Sequence, residues 1–292
     1  MNSTKSKIIF IISMVIFGTL AIFVKNINVT SGELALYRAV LAASIIGFYL
    51  LITKQKIELK AIKKDLILII ISGMAMGFNW IFLFEAYKYT TVSVATLTYY
   101  FAPIIVMIVC PILLKEKITL KQWICFIVST LGIFLIIGIT NINISSDHFL
   151  GVIFGISAAV FYATVIIINK YIKSISGIHR TFIQFLAAIL VLVPYVLLTS
   201  GFNLSSLELP GWISLLIVGI IHTGITYCLY FTSLKNLNGQ TVSILSYIDP
   251  LVAIIVSFML KETMTTFQII GGVLIIVSTV LNEIKFKSLK MK

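Results

Sequence analysis

Residues 99–103 read Tyr-Tyr-Phe-Ala-Pro and residues 246–250 read Ser-Tyr-Ile-Asp-Pro, which pairs Tyr100 with Tyr247 and Pro103 with Pro250 at an offset of 147 residues. Upstream, Phe84 and Lys88 match Phe231 and Lys235 at the same offset. Downstream, Lys115-Glu116 matches Lys261-Glu262 and Gln122 matches Gln268 at an offset of 146. An ordered series of this kind marks an internal repeat, with halves expected at 1–146 and 147–292.

Hydropathy defines what is repeated. The 292 residues are 60% hydrophobic and 11% charged, against roughly 45–50% and about 25% in an ordinary soluble domain. Polar residues are too few to cover a water-facing surface, so the expected solvent is lipid. Breaks at polar or Gly/Pro clusters separate ten apolar spans near 8–24, 34–53, 66–86, 93–113, 122–140, 150–169, 182–199, 212–231, 240–260 and 267–284. The expected fold class is therefore all-α, a polytopic membrane protein with ten transmembrane helices. Five spans per half is an odd number, so the two repeats must be inverted relative to each other. Such a pair of halves suits alternating access.

The net charge of +12 invites a nucleic-acid reading, but topology accounts for it and no nucleic-acid partner is expected. With a cytoplasmic N-terminus, eighteen Lys and Arg fall in inner segments and three, Lys25, Lys88 and Lys261, in outer ones. That asymmetry is the positive-inside signal, and it puts both termini in the cytoplasm and the chain in the cell membrane. The first span follows Lys5 and Lys7 without an evident small-x-small cleavage site, so it reads as a retained anchor. Cys110, Cys125 and Cys228 lie inside apolar runs with no CxxC pair, suggesting neither disulfide nor metal site. No cofactor is called for.

The layout also carries a resemblance. Ala-Pro and Asp-Pro in the fourth and ninth spans, the Lys-Glu pairs ending them, Tyr37-Arg38 early in the second span, and the stretch from Phe161-Tyr162-Ala163 to Asn169-Lys170 are similar to the EamA group of the drug/metabolite transporter superfamily. Phe17-Gly18 stands where that group has Trp-Gly. The resemblance covers the whole chain and implies an exporter of small molecules, a class that takes in amino acids, other metabolites and drugs.

Polar groups at membrane depth are costly and are therefore candidates. Asp249 lies about ten residues, or about 15 Å, into the ninth span, beside Pro250. Pro250 and Pro103 lack an N–H, which is expected to free the carbonyls of Ser246 and Tyr99 mid-helix. Asp249 reads either as a coupling group or as a protonated carboxyl bonded to its neighbouring backbone. His222, midway along the eighth span, reads as a proton relay or as a structural histidine. Protons are the partner these two groups suggest.

Asn79 and Trp80, with Tyr99, Tyr100, Tyr162, Tyr227 and Tyr247, are expected to line an aromatic cavity for a small-molecule substrate, the alternative being packing within the bundle. Arg38 near the outer end of the second span needs a carboxylate or water. An Arg38–Glu85 or Arg38–Glu33 pair would serve as an outer gate or as a static tie. Gly73-x-x-x-Gly77 and Gly151-x-x-x-Gly155 read as close helix packing, and Gly271-Gly272 as packing within the chain or in a homodimer.

No GxxxxGK[ST] stretch is present, which argues against an ATP-driven pump. The reading is a secondary transporter. The competing class, an integral membrane enzyme acting on lipid substrates, would call for clustered acids and histidines near an interface. His148, His179 and His222 are instead scattered.

Overall fold

The computed structural model describes residues 3–55, 62–90, 95, 98–137, 146–175, 177–259 and 265–283. Among them all regular structure is helical. The Lys261-Glu262 pair lies outside the described residues.

The helices are α1 (Ser3–Gly18), α2 (Leu20–Val24), α3 (Ser31–Ile52), α4 (Leu66–Tyr89), α5 (Phe101–Leu114), α6 (Leu120–Ile137), α7 (Ser146–Tyr171) and α8 (Gly177–Thr199). A long span over Leu209–Leu234 is built of α9 (Leu209–Ile217), a π-helical stretch (Val218–Ile225) and α10 (Thr226–Leu234). Three helices complete the chain: α11 (Gly239–Leu245), α12 (Ile248–Met259) and α13 (Thr266–Glu283). Among the described residues six stretches are long and apolar enough to cross a membrane: Ser3–Val24, Ser31–Ile52, Leu66–Tyr89, His148–Tyr171, Gly177–Thr199 and Leu209–Leu234. Their outward faces carry large apolar side chains such as Leu51, Leu190 and Leu198, as lipid contact requires.

Local chemistry sets the helix ends. Thr30 and Glu33 form a reciprocal capping box at the start of α3. The Asn238 side chain caps α11 by accepting from the Thr241 N–H at 2.9 Å. The chain turns at Tyr100 before α5, and at Ser246 and Tyr247 between α11 and α12. Pro103 and Pro250 thus fall in the first turns of α5 and α12, where a proline sacrifices no helical hydrogen bond. This corrects the expectation of mid-helix prolines. The Ser246 carbonyl is not freed, because it accepts from the Asp249 N–H at 3.4 Å. The helix breaks lie just before the prolines.

Packing sorts the helices into groups. One holds α4, α5 and α7, and another holds α1, α10 and α12. Between them stand α3, packed on α8 and the π-helical stretch, and α8, packed on α4. The α6–α13 pair forms a flank, and α5 meets α11 across the middle. Small residues set the close approaches. Gly73 and Gly77 face the α8 backbone at Gln184 and Ala188, while Gly151 faces Thr90 and Gly155 faces Thr98. Gly132 sits so near Gly271 that a Cβ would come 2.7 Å from the Gly271 carbonyl. Gly271 is therefore used for packing within the chain.

Candidate functional site

The break at Tyr100, the break at Ser246–Tyr247 and the C-terminal end of α1 converge on a cavity of about 360 Å³. Its wall comes from both helix groups and from α3: Phe17 and Gly18, Arg38, Trp80, Phe84 and Tyr87, Tyr99 and Tyr100, Tyr162, Tyr227 and Tyr230, and Asp249. A pocket of this size, aromatic with two charged groups, matches the usual site for a small organic ligand.

The aromatic rings form a connected wall. Tyr99 stacks on Tyr162 with centroids 5.4 Å apart and planes 14° from parallel. Tyr162 and Tyr230 share a hydroxyl hydrogen bond of 3.1 Å, and Tyr227 stands edge-on to Trp80 at 6.1 Å. Gly18 brings α1 against α12 at this level, since a Cβ there would lie 2.6 Å from both the Asp249 carbonyl and Val252 Cβ. Only glycine lets α1 pass so close to the backbone of Asp249.

Arg38 is buried in this wall, 7% exposed. Its guanidinium carbon lies 4.6 Å from the centre of the Trp80 ring, a cation–π distance, and Nε donates to Thr223 Oγ1 at 3.1 Å. Thr223 is placed by the π-helical stretch, where its hydroxyl donates to the Val218 carbonyl five residues back at 2.8 Å. Single π-helical turns recur at functional sites because they re-aim side chains in this way. Among the described residues Asp249 receives one side-chain hydrogen bond, from the Tyr100 hydroxyl to Oδ2 at 3.5 Å, the outer limit of such a bond.

Five of the seven residues expected to contact substrate, Trp80, Tyr99, Tyr100, Tyr162 and Tyr227, line the cavity, as do Asp249 and Arg38. Asn79 does not, for its amide donates to the Ala158 carbonyl at 2.7 Å and ties α4 to α7. Tyr247 points the other way, fully buried, with its hydroxyl 3.0 Å from Thr130 Oγ1 and its ring stacked on Phe126. His222 does not line the cavity: it is buried, with its Nε2 3.1 Å from Thr19 Oγ1.

The expected Arg38–Glu85 and Arg38–Glu33 pairs do not form. Glu33 spends its carboxylate on the Thr30 cap, the Tyr37 hydroxyl at 3.0 Å and the Asn203 N–H at 2.6 Å. Glu85 accepts from the Tyr195 hydroxyl and pairs with Lys88 at 2.5 Å. Both acids are consumed by loop and rim contacts, which leaves Arg38 with neutral partners. Tyr230, Tyr87 and Thr223 complete the site with Phe17, and of these four the sequence marked only Phe17, beside Gly18. The helical spacing of Thr223, Tyr227 and Tyr230, four and three residues apart, is the signal that carried them.

Phe84 and Tyr87 also line a second chamber of about 380 Å³, bounded by Thr30, Ser31, Gly32, Lys88, Tyr195, Thr199 and Ser200. Two aromatic side chains thus separate the central cavity from the end of the bundle where α3 begins and α4 and α8 stop. The opposite end is shut by polar contacts. Glu116 Oε2 accepts from the Gly239 N–H at 2.7 Å, Lys170 lies 3.5 Å from Glu116 Oε1, and its ammonium also donates to the Leu237 carbonyl. Deeper in, Asn169 and Gln184 both donate to Ser72 Oγ, at 2.9 and 2.7 Å. The fully buried Arg180 donates to the carbonyls of Asn169 and Phe231. At the rim, Asp65 accepts from the backbone N–H groups of Lys173 and Ser174 at 2.9 and 2.7 Å. Partial burial pushes its carboxyl upward, but hydrogen bonds from Ser174 and Lys173 and the nearby Lys64 charge outweigh this and hold it below the usual carboxylate range.

With this geometry in hand, known proteins place the chain. The model of the EamA-like transporter family matches residues 4–138 and again residues 149–283. The uncharacterized transporter YxxF of Bacillus subtilis (strain 168) is 34% identical over 246 residues, 84% of this chain and 78% of its own length. An uncharacterized transporter of Archaeoglobus fulgidus is 25% identical over 271 residues, covering 91% of this chain and 92% of its own length. A solved protein crystal structure shares the fold, with a TM-score of 0.83 at 13% identity over 97% of this chain and 98% of its own. The family and the names of the relatives indicate a transporter rather than an enzyme. The chain belongs to the EamA-like transporter family, within the drug/metabolite transporter superfamily, as a multi-pass membrane protein.

Proposed function

We propose that the protein is a secondary active transporter that exports small metabolites, amino acids or related amphiphiles among them, across the cytoplasmic membrane by alternating access. Ten spans, arranged as inverted halves 1–146 and 147–292, carry the reading. In that scheme α5 with the turn before it is the fourth span, α11 and α12 together are the ninth, and α6 and α13 are the fifth and tenth.

The observation that carries it is the pattern of helix packing. Exchanging each span with the span five places on turns α4 on α7 into α10 on α1, α5 on α7 into α12 on α1, and α8 on α4 into α3 on the π-helical stretch. The contacts α3 on α8, α6 on α13 and α5 on α11 map onto themselves. The two successive matches to the family model, at 4–138 and 149–283, support the same division. Each moving group then combines two spans of one half with the first span of the other. Rocking the α4–α5–α7 group against the α1–α10–α12 group opens the central cavity at one end while closing it at the other.

With both termini cytoplasmic, the end sealed by Glu116, Lys170 and Gly239 faces inward, and the Phe84–Tyr87 constriction faces outward. Thick closure on one side and a thin aromatic gate on the other describe an outward-facing state. We assign proton coupling to Asp249, the carboxylate lining the cavity. His222, the other candidate coupling group, is turned away toward Thr19 and takes a structural place. Export rests on the family resemblance.

The experiment is a topology map joined to a flux assay. Reporters fused after residue 146 are expected outside and after residue 175 inside, and cells overproducing the protein are expected to release solutes that cells with an Asp249→Asn variant retain. Both reporters on one side would overturn the ten-span reading. Equal solute profiles in the two strains would overturn the role of Asp249.

A further inference from the structure

The chain has two arginines, Arg38 and Arg180, and the second lies outside the central cavity. Arg180 stands in the first turn of α8 and is fully buried. One Nη group donates to the Asn169 carbonyl of α7 at 3.3 Å and the other to the Phe231 carbonyl of α10. The centre of the Phe231 ring lies 5.8 Å from the guanidinium carbon. Among the described residues Arg180 meets no carboxylate, and its Nε has no hydrogen-bond partner. One turn further along α8, Gln184 Oε1 is also buried without a partner, although the amide nitrogen bonds Ser72 and Asn169. A buried guanidinium ordinarily meets a carboxylate, because carbonyl dipoles return only part of the hydration it gives up. A neutral amide would join the same two carbonyls at a smaller desolvation cost.

The two carbonyls stand on opposite sides of a seam. Asn169 belongs to the α4–α5–α7 group and Phe231 to the α1–α10–α12 group, so the guanidinium spans the line along which the groups meet. The floor of the central cavity adjoins it: Tyr162 of α7 shares a hydroxyl hydrogen bond of 3.1 Å with Tyr230 of α10, the residue before Phe231. Lys170, the residue after Asn169, adds a second cation to the seam, 3.5 Å from Glu116. Parting α7 from α10 opens the cavity floor and takes the Phe231 carbonyl from Arg180 in the same movement. A guanidinium has five N–H donors. In the closed seam two are spent on carbonyls, and only the bond to Asn169 survives the opening.

We infer that Arg180 is the anion receptor of the inward-facing protein, taking the carboxylate or phosphate of a small soluble solute before that solute reaches the central cavity. The inference rests on the alternating-access reading for the opening of the seam and adds to it a second binding site. A guanidinium fork matches both oxyanions in geometry and charge. A simple amine meets like charge there from Arg180 and Lys170. In the closed seam the two carbonyls hold the guanidinium in place of the anion.

The test uses the full-length protein in phosphatidylcholine vesicles, right-side-out and inside-out, with a membrane-impermeant sulfonated phenylglyoxal that modifies arginine. Peptide mass spectrometry then assigns every adduct to Arg38 or Arg180, with Arg38 in the cavity wall as the internal reference. Arg180 is expected to be modified from the inner side and not from the outer, about tenfold faster in Glu116→Ala. Benzoate and phenyl phosphate are each expected to slow the modification about tenfold, benzamide to leave it unchanged, and the protection to persist in Arg38→Gln. In a readout independent of arginine reactivity, benzoate should speed hydrogen exchange at residues 237–245 in the wild type and not in Arg180→Gln, with thermal melts reporting that the variant is folded. Modification of Arg180 without protection by either anion would overturn the inference. So would slowing by phosphatidylglycerol in the vesicles with none from benzoate, which would make a lipid headgroup the anion. Modification of Arg38 but not Arg180 from the inner side would overturn it and leave alternating access standing. If neither arginine is modified from the inner side, in the wild type or in Glu116→Ala, alternating access falls and this inference with it.

Discussion

The carboxylate of Glu116 bridges α7 and α11: one oxygen accepts from the Gly239 N–H at 2.7 Å and the other faces the Lys170 ammonium at 3.5 Å. The acid follows α5, the amide stands at the start of α11, and the lysine at the end of α7. Gly239 is required there because a Cβ would lie 2.5 Å from Cys110 Sγ.

Removing that acceptor is expected to loosen the seam. A hydrogen bond to a charged group contributes about 1.5–3 kcal/mol, and partial exposure of the pair lowers this to about 1.4 kcal/mol, a tenfold change. Glu116→Ala should therefore speed hydrogen exchange at residues 237–245 about tenfold while leaving α13 unchanged. Unchanged exchange at Gly239 would remove the pair from the closure.

Gly18→Ala places a methyl group against the Asp249 carbonyl and Val252. Overpacking of this kind costs about 1–3 kcal/mol. It should displace α12 from α1 and depress transport at least tenfold with little loss of protein, read by solute release from cells with matched expression. Wild-type release would show that the close approach is not needed.

Thr223→Val removes the acceptor that orients Arg38. The lost bond, about 1–3 kcal/mol when its charged donor stays buried, should weaken substrate binding about tenfold and destabilise the protein far less than an Arg38 substitution. Binding titrations of the two variants, alongside their thermal melts, check this.

Asp65 supplies a pH-dependent tie at the rim where α4 begins. Its carboxyl is held below the usual range in the folded chain, so its stabilisation is fully present above the unfolded value near 3.8 and is lost as pH falls through the lower folded value. Asp65→Asn should cost about 1 kcal/mol at neutral pH, and the gap between its melting temperature and that of the wild type should close in acid below the carboxylate range. A gap independent of pH would show that the charge does not matter.

Much of the fold was legible in the chain because hydropathy and lipid thickness are strongly linked. The second and third spans, expected near 34–53 and 66–86, are α3 (Ser31–Ile52) and α4 (Leu66–Tyr89). Tyr99 and Tyr100 do face one cavity with Asp249, while Tyr247 turns away from it to Thr130 and Phe126. The failures have physical reasons. Thr30-x-x-Glu33 carries a capping-box signature that already committed Glu33 to a helix end, so Glu33 was never available to Arg38. Glu85 pairs with Lys88 one turn on, as the i,i+3 spacing allows, but its other partner is Tyr195, 110 residues away, a contact no local pattern announces. The π-helical stretch leaves no compositional trace, so the hold of Thr223 on Arg38 emerged only from the fold. The breaks before Pro103 and Pro250 were displaced from the prolines because a proline is most comfortable just inside a helix start.

Alternating access is tested most directly by a single cysteine at Tyr99, in a background with Cys110, Cys125 and Cys228 replaced by serine, probed with a membrane-impermeant thiol reagent in right-side-out and inside-out vesicles. The account predicts labelling from both sides, with the inner-side rate raised about tenfold by Glu116→Ala and the outer-side rate lowered by it. Labelling from one side only, in the wild type and in the variant alike, would contradict it.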